Sequence, residues 1–520
     1  MSQGFQQLQD HQTLRHPQWL AVAEQLKPEL HSRVVTPVAE VNTVADAAAI
    51  NGWRAQVCGT PDALAQRVLQ TGDEVIIDLG THCVGYLQLH CAASGSPQDA
   101  PAHLTFIFGE TAYEVTEDFS RYQGWLSSSW LQQEDCWLDV LPMQLALPRR
   151  YCCRYIKIRV VATSRKFGVR LSDLRFTCVT SAGEVKPAPD LQDPLLQKID
   201  AISVLTLKNC MQLVFEDGPK RDRRLWLGDL RLQALVNYQT FQHNDLVKRC
   251  LYLFAGVTRA DGMISSNLFM QPEIQADDTY LLDYSLLFVA TLADYVAHTR
   301  DEQTARDLWP TAWRQIELAL ARLDEHNLLR DSEEWWSFID WHASLNKQAA
   351  TQGVLIYCLQ KALMLAEIAA PDRVAALSVT QQQLKQACLQ HLWQTESGFF
   401  ISGEEKQISW ASQIWMILAD VGDSAQQQAL LKRLDQQPPA IAMQTPYMMH
   451  HYIEALLHCG QQQQAEQAIK TYWGAMAEQG ADTFWELFDP QQPQFSPYGS
   501  PLINSYCHAW SCTPAWLLRR

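Results

Sequence analysis

The sequence predicts an N-terminal antiparallel β-sandwich followed by an (α/α)6 barrel, on three observations. At 520 residues the chain exceeds one ordinary core, and 47% hydrophobic against 19% charged residues suits a folded protein of two or three modules. From about Val34 to Thr180 it reads as short strands, and beyond a Pro-bearing connector helical periodicity persists to the end. The expected division is therefore 1–185 for the β domain and 186–520 for the helical one.

In the first part, Glu74 to Leu79, Gly85 to His90, His103 to Phe108 and Arg154 to Val161 alternate or are rich in β-branched residues. Gly, Pro and Ser clusters such as Ala93 to Pro101 separate them, the pattern of a sandwich. In the second part, helix-like stretches run over Pro194–Leu213, Asp229–Ala255, Thr279–His298, Glu302–Leu323, Gly353–Ala369 and Gln381–Trp393. Five more cover Ala411–Leu418, Ala425–Leu434, Met448–Leu457, Gln462–Met476 and Ser505–Leu518. Eleven helices without a fixed-period repeat favour six concentric pairs over a solenoid.

Composition excludes several functions. With 57 acidic and 41 basic residues the net charge is -16, so nucleic acid and anionic membranes are repelled. Residues Met1 to Leu30 lack the basic and apolar regions of a secretory signal, and no uninterrupted apolar run has membrane-spanning length, so a cytoplasmic protein is expected. Fourteen cysteines without a CxxC pair, among them Cys58, Cys83, Cys91, Cys210, Cys358 and Cys388, read as buried reduced thiols. Cys152 and Cys153 should face opposite sides of one strand. No HExxH, phosphate loop or dinucleotide fingerprint is present, so neither metal nor cofactor is implied.

Chemistry concentrates between helices. In Glu216 to Asp229, Gly218 and Pro219 forbid simple helix, and Gly228-Asp229 reads as a helix entry with Asp229 in capping position. Carboxylates, Arg221 and Trp226 on one loop could grip a sugar, the acids accepting from hydroxyls and the indole covering C–H groups. A solvated charge run with a helix cap has the same composition. In Trp335 to His342, three tryptophans around Asp340 suit an aromatic-walled pocket, because each indole N–H needs a partner. Packing against the β domain is the plainer alternative. Glu486, in Gly480 to Glu486, is either a surface acid or a desolvated carboxylate, and His508 is either a structural donor or part of a site.

Together these segments resemble glycoside hydrolase family 78, the α-L-rhamnosidases. The resemblance rests on Asp217-Gly-Pro-Lys-Arg221-Asp222 with Trp226 and Gly228-Asp229, then Trp336 to Trp341, Thr445-Pro-Tyr447 with His451-Tyr452, Tyr472 to Met476, Thr483 to Glu486 and Cys507 to Ser511. It runs from about residue 200 to the C-terminus. It implies a hydrolase that removes terminal non-reducing α-L-rhamnose from glycosides or oligosaccharides with inversion. Asp222 stands at the general acid and Glu486 at the general base. Asp217, Arg221, Trp226, Asp229, Trp341 and His508 fall on the sugar pocket, and Trp336 and Asp340 align with it too. Family members usually carry Glu at the acid position, so Asp222 must reach the scissile oxygen with one methylene less. Inversion sets the carboxyl groups roughly 6.5 to 9.5 Å apart, against about 5 to 5.5 Å for retention. Arg221, Arg223 and Arg224 would oppose a protonated acid beside them and must be turned away or paired. Two rivals are a glycosidase for another sugar on the same barrel and a non-catalytic glycan-binding protein. Apolar surface on the β domain would allow a homodimer.

Overall fold

A computed structural model describes residues 12–332 and 334–520. Before the sheet the chain forms a strap, β1 (Thr13–Arg15) and helix α1 (Pro17–Gln25). Although counted with the β domain by position, the strap lies on the helical part. β1 pairs antiparallel with Val257–Arg259, and the Arg249 guanidinium donates to the Ala23 carbonyl.

Nine antiparallel strands follow in one continuous sheet: β2 (His31–Val35), β3 (Ala39–Ala45), β4 (Trp53–Gly59), β5 (Glu74–Gly95), β6 (Ala102–Gly109), β7 (Gln133–Leu138), β8 (Met143–Ala146), β9 (Tyr151–Ala162) and β10 (Phe167–Thr180). Helices α2 (Pro61–Gln66) and α3 (Ala112–Thr116) interrupt it. The two strand runs seen before and after Gly80 are one strand, β5. Its first part pairs with β3 and β9, its second with β8 and β10, and its register against β9 shifts between Asp78 and Cys83. Inward residues from β5, β6, β9 and β10, including Ile77, Leu89, Phe106, Ile158 and Phe176, form one apolar core, as period-2 alternation requires. Cys153 lies in this core, and Cys152 faces the other way, toward Cys210 and Cys507 of the helical part. All fourteen thiols are free, and Cys58 is exposed rather than buried.

The helical part contains α4 (Pro194–Cys210), α5 (Leu227–Gln239), α6 (Asn244–Gly256), α7 (Leu282–Thr299), α8 (Glu302–Leu320), α9 (Gln348–Ala369), α10 (Val374–Ala387), α11 (Trp410–Leu418), α12 (Ser424–Gln436), α13 (Pro446–His458), α14 (Gln462–Glu478) and α15 (Pro514–Leu517). Helices α5, α7, α9, α11 and α13 pack side by side in that order, with α6, α8, α10, α12 and α14 laid against them. The turn Ala509–Ser511 touches both α13 and α5 and completes the round. Helix α9 is long and apolar enough to cross a membrane, but 78% of its apolar window is buried here, the mark of a core helix.

Two helix expectations fail. Asp229–Ala255 is two helices, broken where Thr240 leaves helical geometry and Gln242 takes φ 55°. Ser505–Leu518 holds only a 3-10 turn and the short α15, because its backbone bonds to distant segments: Ser505 N–H to Glu486, His508 N–H to the Phe484 carbonyl and Ala509 N–H to the Asp217 carbonyl.

Candidate active site

All ten residues singled out from the sequence line one cavity of about 680 Å³ at an end of the helical round. Asp217, Arg221, Asp222, Trp226 and Asp229 come from the loop before α5 and its first turn. Trp336, Asp340 and Trp341 come from the connection before α9, and Glu486 and His508 from the C-terminal segment.

The loop before α5 is held as a strained turn. Asp217 N–H donates to the Arg224 carbonyl at 3.0 Å, and Arg224 N–H returns a bond to the Asp217 carboxylate at 3.1 Å. Asp222 and Arg223 both sit in the left-handed region, at φ 53° and 55°, which costs non-glycine residues about 1 kcal/mol or more each and is borne best by Asp and Asn. The turn leaves the Asp222 carboxyl 22% exposed. Asp229 is not the helix cap: Trp226 holds that place without a side-chain cap, and Asp229 sits in the first turn with its carboxyl in the cavity. Gly228 is required beside it, since a Cβ there would stand 2.4 Å from the Tyr284 ring.

Two of the three neighbouring arginines are turned to other partners. The Arg223 guanidinium donates to the carbonyls of Lys220 and Arg150, and that of Arg224 pairs with Asp277 at 3.4 Å and covers the Phe269 ring. Arg221 donates to the Ile503 carbonyl at 2.6 Å and to Glu486 Oε2, while its other terminal nitrogen is 4.0 Å from Asp222 Oδ1. The two carboxylates thus address different nitrogens of one guanidinium, stacked 4.3 Å above the Tyr498 ring.

Glu486 is fixed on all sides. Tyr498 Oη donates to Oε1, Arg221 to Oε2 and the Ser505 N–H to Oε2 at 3.4 Å, while the Trp510 indole holds the Glu486 carbonyl at 2.9 Å. Burial alone would raise its pKa, but the Arg221 charge and these donors outweigh burial and hold it below the usual Glu value. Asp217 and Asp229 go the other way. Burial first, then the charge of neighbouring carboxylates, drives both well above the ordinary carboxylate range. Burial also lowers His508 to about 4, leaving it neutral.

Five buried polar atoms on cavity-lining residues have no hydrogen-bond partner in the protein: Trp226 Nε1, Trp341 Nε1, Ser337 Oγ, Asp229 Oδ1 and His508 Nδ1. His508 Nδ1 and Asp229 Oδ1 are 3.5 Å apart, and His508 Nε2 lies 3.9 Å from Asp217. Donors and acceptors interleaved with tryptophan faces match a small polyhydroxylated ligand. Asp340 differs, because three donors already hold its oxygens: the N–H groups of Trp341 and Gln444 and the Thr445 hydroxyl, at 2.7 to 2.9 Å. Its pKa is raised to about 6 by burial, and it fixes the aromatic connection to the start of α13. Trp336 accepts the Leu282 N–H on its carbonyl at 2.6 Å and turns its ring to the cavity.

Sequence reading missed three participants. Tyr498 sits in a Ser-Pro-Tyr-Gly-Ser turn without a helix or strand signal. Tyr284 looked like a core residue of α7. Lys220 lies inside the quoted motif, yet its role depends on the β domain: its ammonium bonds Glu114 at 2.6 Å and the carbonyls of Leu502 and Asn504 at 3.0 and 2.7 Å, and Glu110 is 3.8 Å away.

Two clusters away from the cavity gather metal-ligand residue types, His82–Glu110–Cys152 and His450–His451–Glu454. In the first, the Asn209 amide donates to His82 Nδ1 and to the His82 carbonyl, so Nε2 carries the proton given to Glu110. In the second, Arg231 occupies His451 Nε2 at 3.4 Å while Nδ1 serves the Tyr447 carbonyl. The His82 and His451 nitrogens are thus engaged within the protein, whereas His450 Nδ1 and Nε2 and Glu454 Oε2 have no hydrogen-bond partner there.

Two family models match the chain: the glycosyl hydrolase family 78 alpha-rhamnosidase N-terminal domain over residues 37–178 and the bacterial alpha-L-rhamnosidase 6 hairpin glycosidase domain over 190–520. Among solved structures, a rhamnosidase from Klebsiella oxytoca with rhamnose bound is 60% identical, with a TM-score of 0.96 over 98% of this chain and 99% of that one. A family 78 rhamnosidase of Bacillus sp. GL1 is 24% identical, with a TM-score of 0.75 over 89% of this chain and 49% of that one. A Streptomyces avermitilis α-L-rhamnosidase complexed with L-rhamnose is 14% identical, with a TM-score of 0.65 over 95% and 44%. The last two carry information on the fold alone. Comparison with curated proteins gives no match.

Proposed function

The chain belongs to glycosyl hydrolase family 78 and is an α-L-rhamnosidase; from that premise we propose that it cleaves terminal non-reducing α-L-rhamnose with inversion, Asp222 acting as acid and Glu486 as base. The observation that carries this reading is the contrast between the two carboxyl groups. Glu486 is buried, held ionised by Arg221 and Tyr498, and suited to take a proton from water. Asp222 is partly exposed, with Arg223 and Arg224 turned to other partners and Arg221 shared with Glu486 at 4.0 Å from the Asp222 carboxyl. One guanidinium between them leaves space for sugar and water, which direct carboxyl contact would not.

In this reading Asp217, Asp229 and the neutral His508 exchange hydrogen bonds with the ring hydroxyls, and Trp226, Trp336 and Trp341 wall the 6-methyl side. Asp340 positions the aromatic wall. The architecture is a β-sandwich, 1–185, and an (α/α)6 barrel, 186–520. The ordered packing of α5, α7, α9, α11 and α13 supports the barrel, with the turn at Ala509–Ser511 in place of a sixth inner helix. Exposed Val57 on β4, Trp137 on β7 and Val140 in the connection after β7 favour a homodimer.

The test is the anomeric configuration of the first product released from p-nitrophenyl α-L-rhamnoside, followed by NMR. Inversion gives β-L-rhamnose first; initial α-L-rhamnose excludes Glu486 as a base acting on water.

A further inference from the structure

Nearly the whole cavity wall comes from the helical part, and the exception is a loop of the β domain. Between the 3-10 turns Phe119–Arg121 and Ser128–Trp130 that loop places Trp125 and Leu126 at the cavity. Trp125 is tied to the helical part by its edge: its N–H donates to the Tyr498 carbonyl at 3.0 Å and its indole Nε1 to the Pro497 carbonyl at 2.9 Å. Its ring centre is 5.7 Å from that of Tyr498, whose hydroxyl holds Glu486. Yet Trp125 is 46% exposed, in contrast to the buried acids and His508 deeper in the cavity. A large apolar side chain anchored through its backbone N–H and its indole N–H, and left open to solvent, is preorganised for a ligand face.

The depth of the site tells which face. Asp217, Asp229, Glu486 and His508 are all 2 to 4% exposed and take up the buried end, where a terminal sugar fits. Whatever lies beyond the glycosidic oxygen extends outward past Asp222 to the rim, where Trp125 stands.

We infer that Trp125 of the β domain is a specificity-determining platform for the leaving group, stacking on an aromatic ring or on the C–H face of a second sugar. The inference rests on the rhamnosidase reading and adds a second binding locus to it. It gives the β domain a direct part in substrate choice, with Tyr498 as the hinge between that platform and the base.

The experiment compares wild type, Trp125→Ala and Trp125→Phe on methyl α-L-rhamnoside and p-nitrophenyl α-L-rhamnoside, with free L-rhamnose as competitive inhibitor. Trp125→Ala should raise KM for the aryl rhamnoside about ten-fold, an effect the size expected for one lost stacking contact. KM for the methyl rhamnoside, kcat and the rhamnose inhibition constant should stay within about two-fold. Trp125→Phe, which keeps a ring but lacks the indole N–H, should restore most of the aryl KM. Equal losses on both substrates, or a changed kcat or rhamnose inhibition, would reduce Trp125 to a prop for Tyr498 and overturn the inference, as would no change at all. Failure of the underlying reading looks different: wild type would then neither cleave the rhamnosides nor bind rhamnose.

Discussion

The loop of Asp222 and the segment of Glu486 meet at one cavity but are built on opposite principles. Around Glu486 every interaction favours a single state: three donors, a buried guanidinium and an aromatic support fix the carboxylate in place and charge. Around Asp222 the backbone takes two successive left-handed residues, the side chain is partly exposed, and burial and mutual repulsion raise the pKa of the neighbouring Asp217 and Asp229. A base that stays ionised benefits from rigid satisfaction. An acid that must cycle its proton is served by a group whose position is set through the backbone rather than through bonds to its oxygens.

Removing each group should expose that difference. Glu486→Gln should lower kcat by about 10³ to 10⁴-fold and also destabilise the fold by about 3 kcal/mol, because Arg221 loses its buried counter-charge. Denaturant unfolding alongside kinetics checks both halves; unchanged stability would mean Arg221 is satisfied without Glu486. Asp222→Asn should cost kcat about 10² to 10⁴-fold yet leave unfolding within about 0.5 kcal/mol, since Asn tolerates φ near 53° as well as Asp. A large stability loss there would erase the contrast.

Lys220→Met tests whether the strained loop is anchored from the β domain. Leaving Glu114 and Glu110 without their buried ammonium should cost about 3 kcal/mol in unfolding, and the double variant with Glu114→Gln should recover part of it. Equal stability of single variant and wild type would show the ion pair to be ornamental. Tyr498→Phe removes one donor from Glu486, so its pKa rises. The acid limb of kcat/KM, which reports loss of the ionised base as pH falls, should move to higher pH, with about a ten-fold loss of rate at neutral pH. A limb that stays in place would detach Tyr498 from the base.

The smallest expected effect concerns His508. Its folded pKa of about 4 lies below the usual value near 6.5, so between those limits the unfolded chain binds the extra proton and stability declines as pH is lowered. His508→Asn should flatten the fall in Tm between pH 6.5 and 4. A pH dependence identical to wild type would place the imidazole in a wetter setting than this structure gives it.

Much of this was legible in the amino-acid order. Strand alternation, the connector and the helix periodicity mark the two parts because each face of a strand or helix must bury its own apolar set. The segments that carry the ten site residues stood out because polar and aromatic groups gathered where Gly, Pro or caps interrupt helices, and the resemblance to family 78 singled out the residues within them. What escaped was set by contacts far apart in the chain. The break at Thr240–His243 has neither Gly nor Pro, and Asn237 supports it by accepting the His243 N–H. Ser505–Leu518 carries apolar residues that would suit a helix, yet its N–H groups are claimed by Glu486, Phe484 and Asp217. Tyr498, Lys220 and Trp125 show little alone, since each is defined by a partner from 12 to 372 residues away.

The strap at the start of the chain bears on how the protein is made. β1 and α1 dock on Val257–Arg259 and α6, where Leu20 packs onto Gly256 and His16 N–H meets its carbonyl at 2.9 Å. Ribosomes add about 5 to 20 residues each second, so roughly ten to fifty seconds separate the strap from its seat. The strap thus leaves the ribosome well before its seat is made, and the sheet can fold while the strap is still waiting.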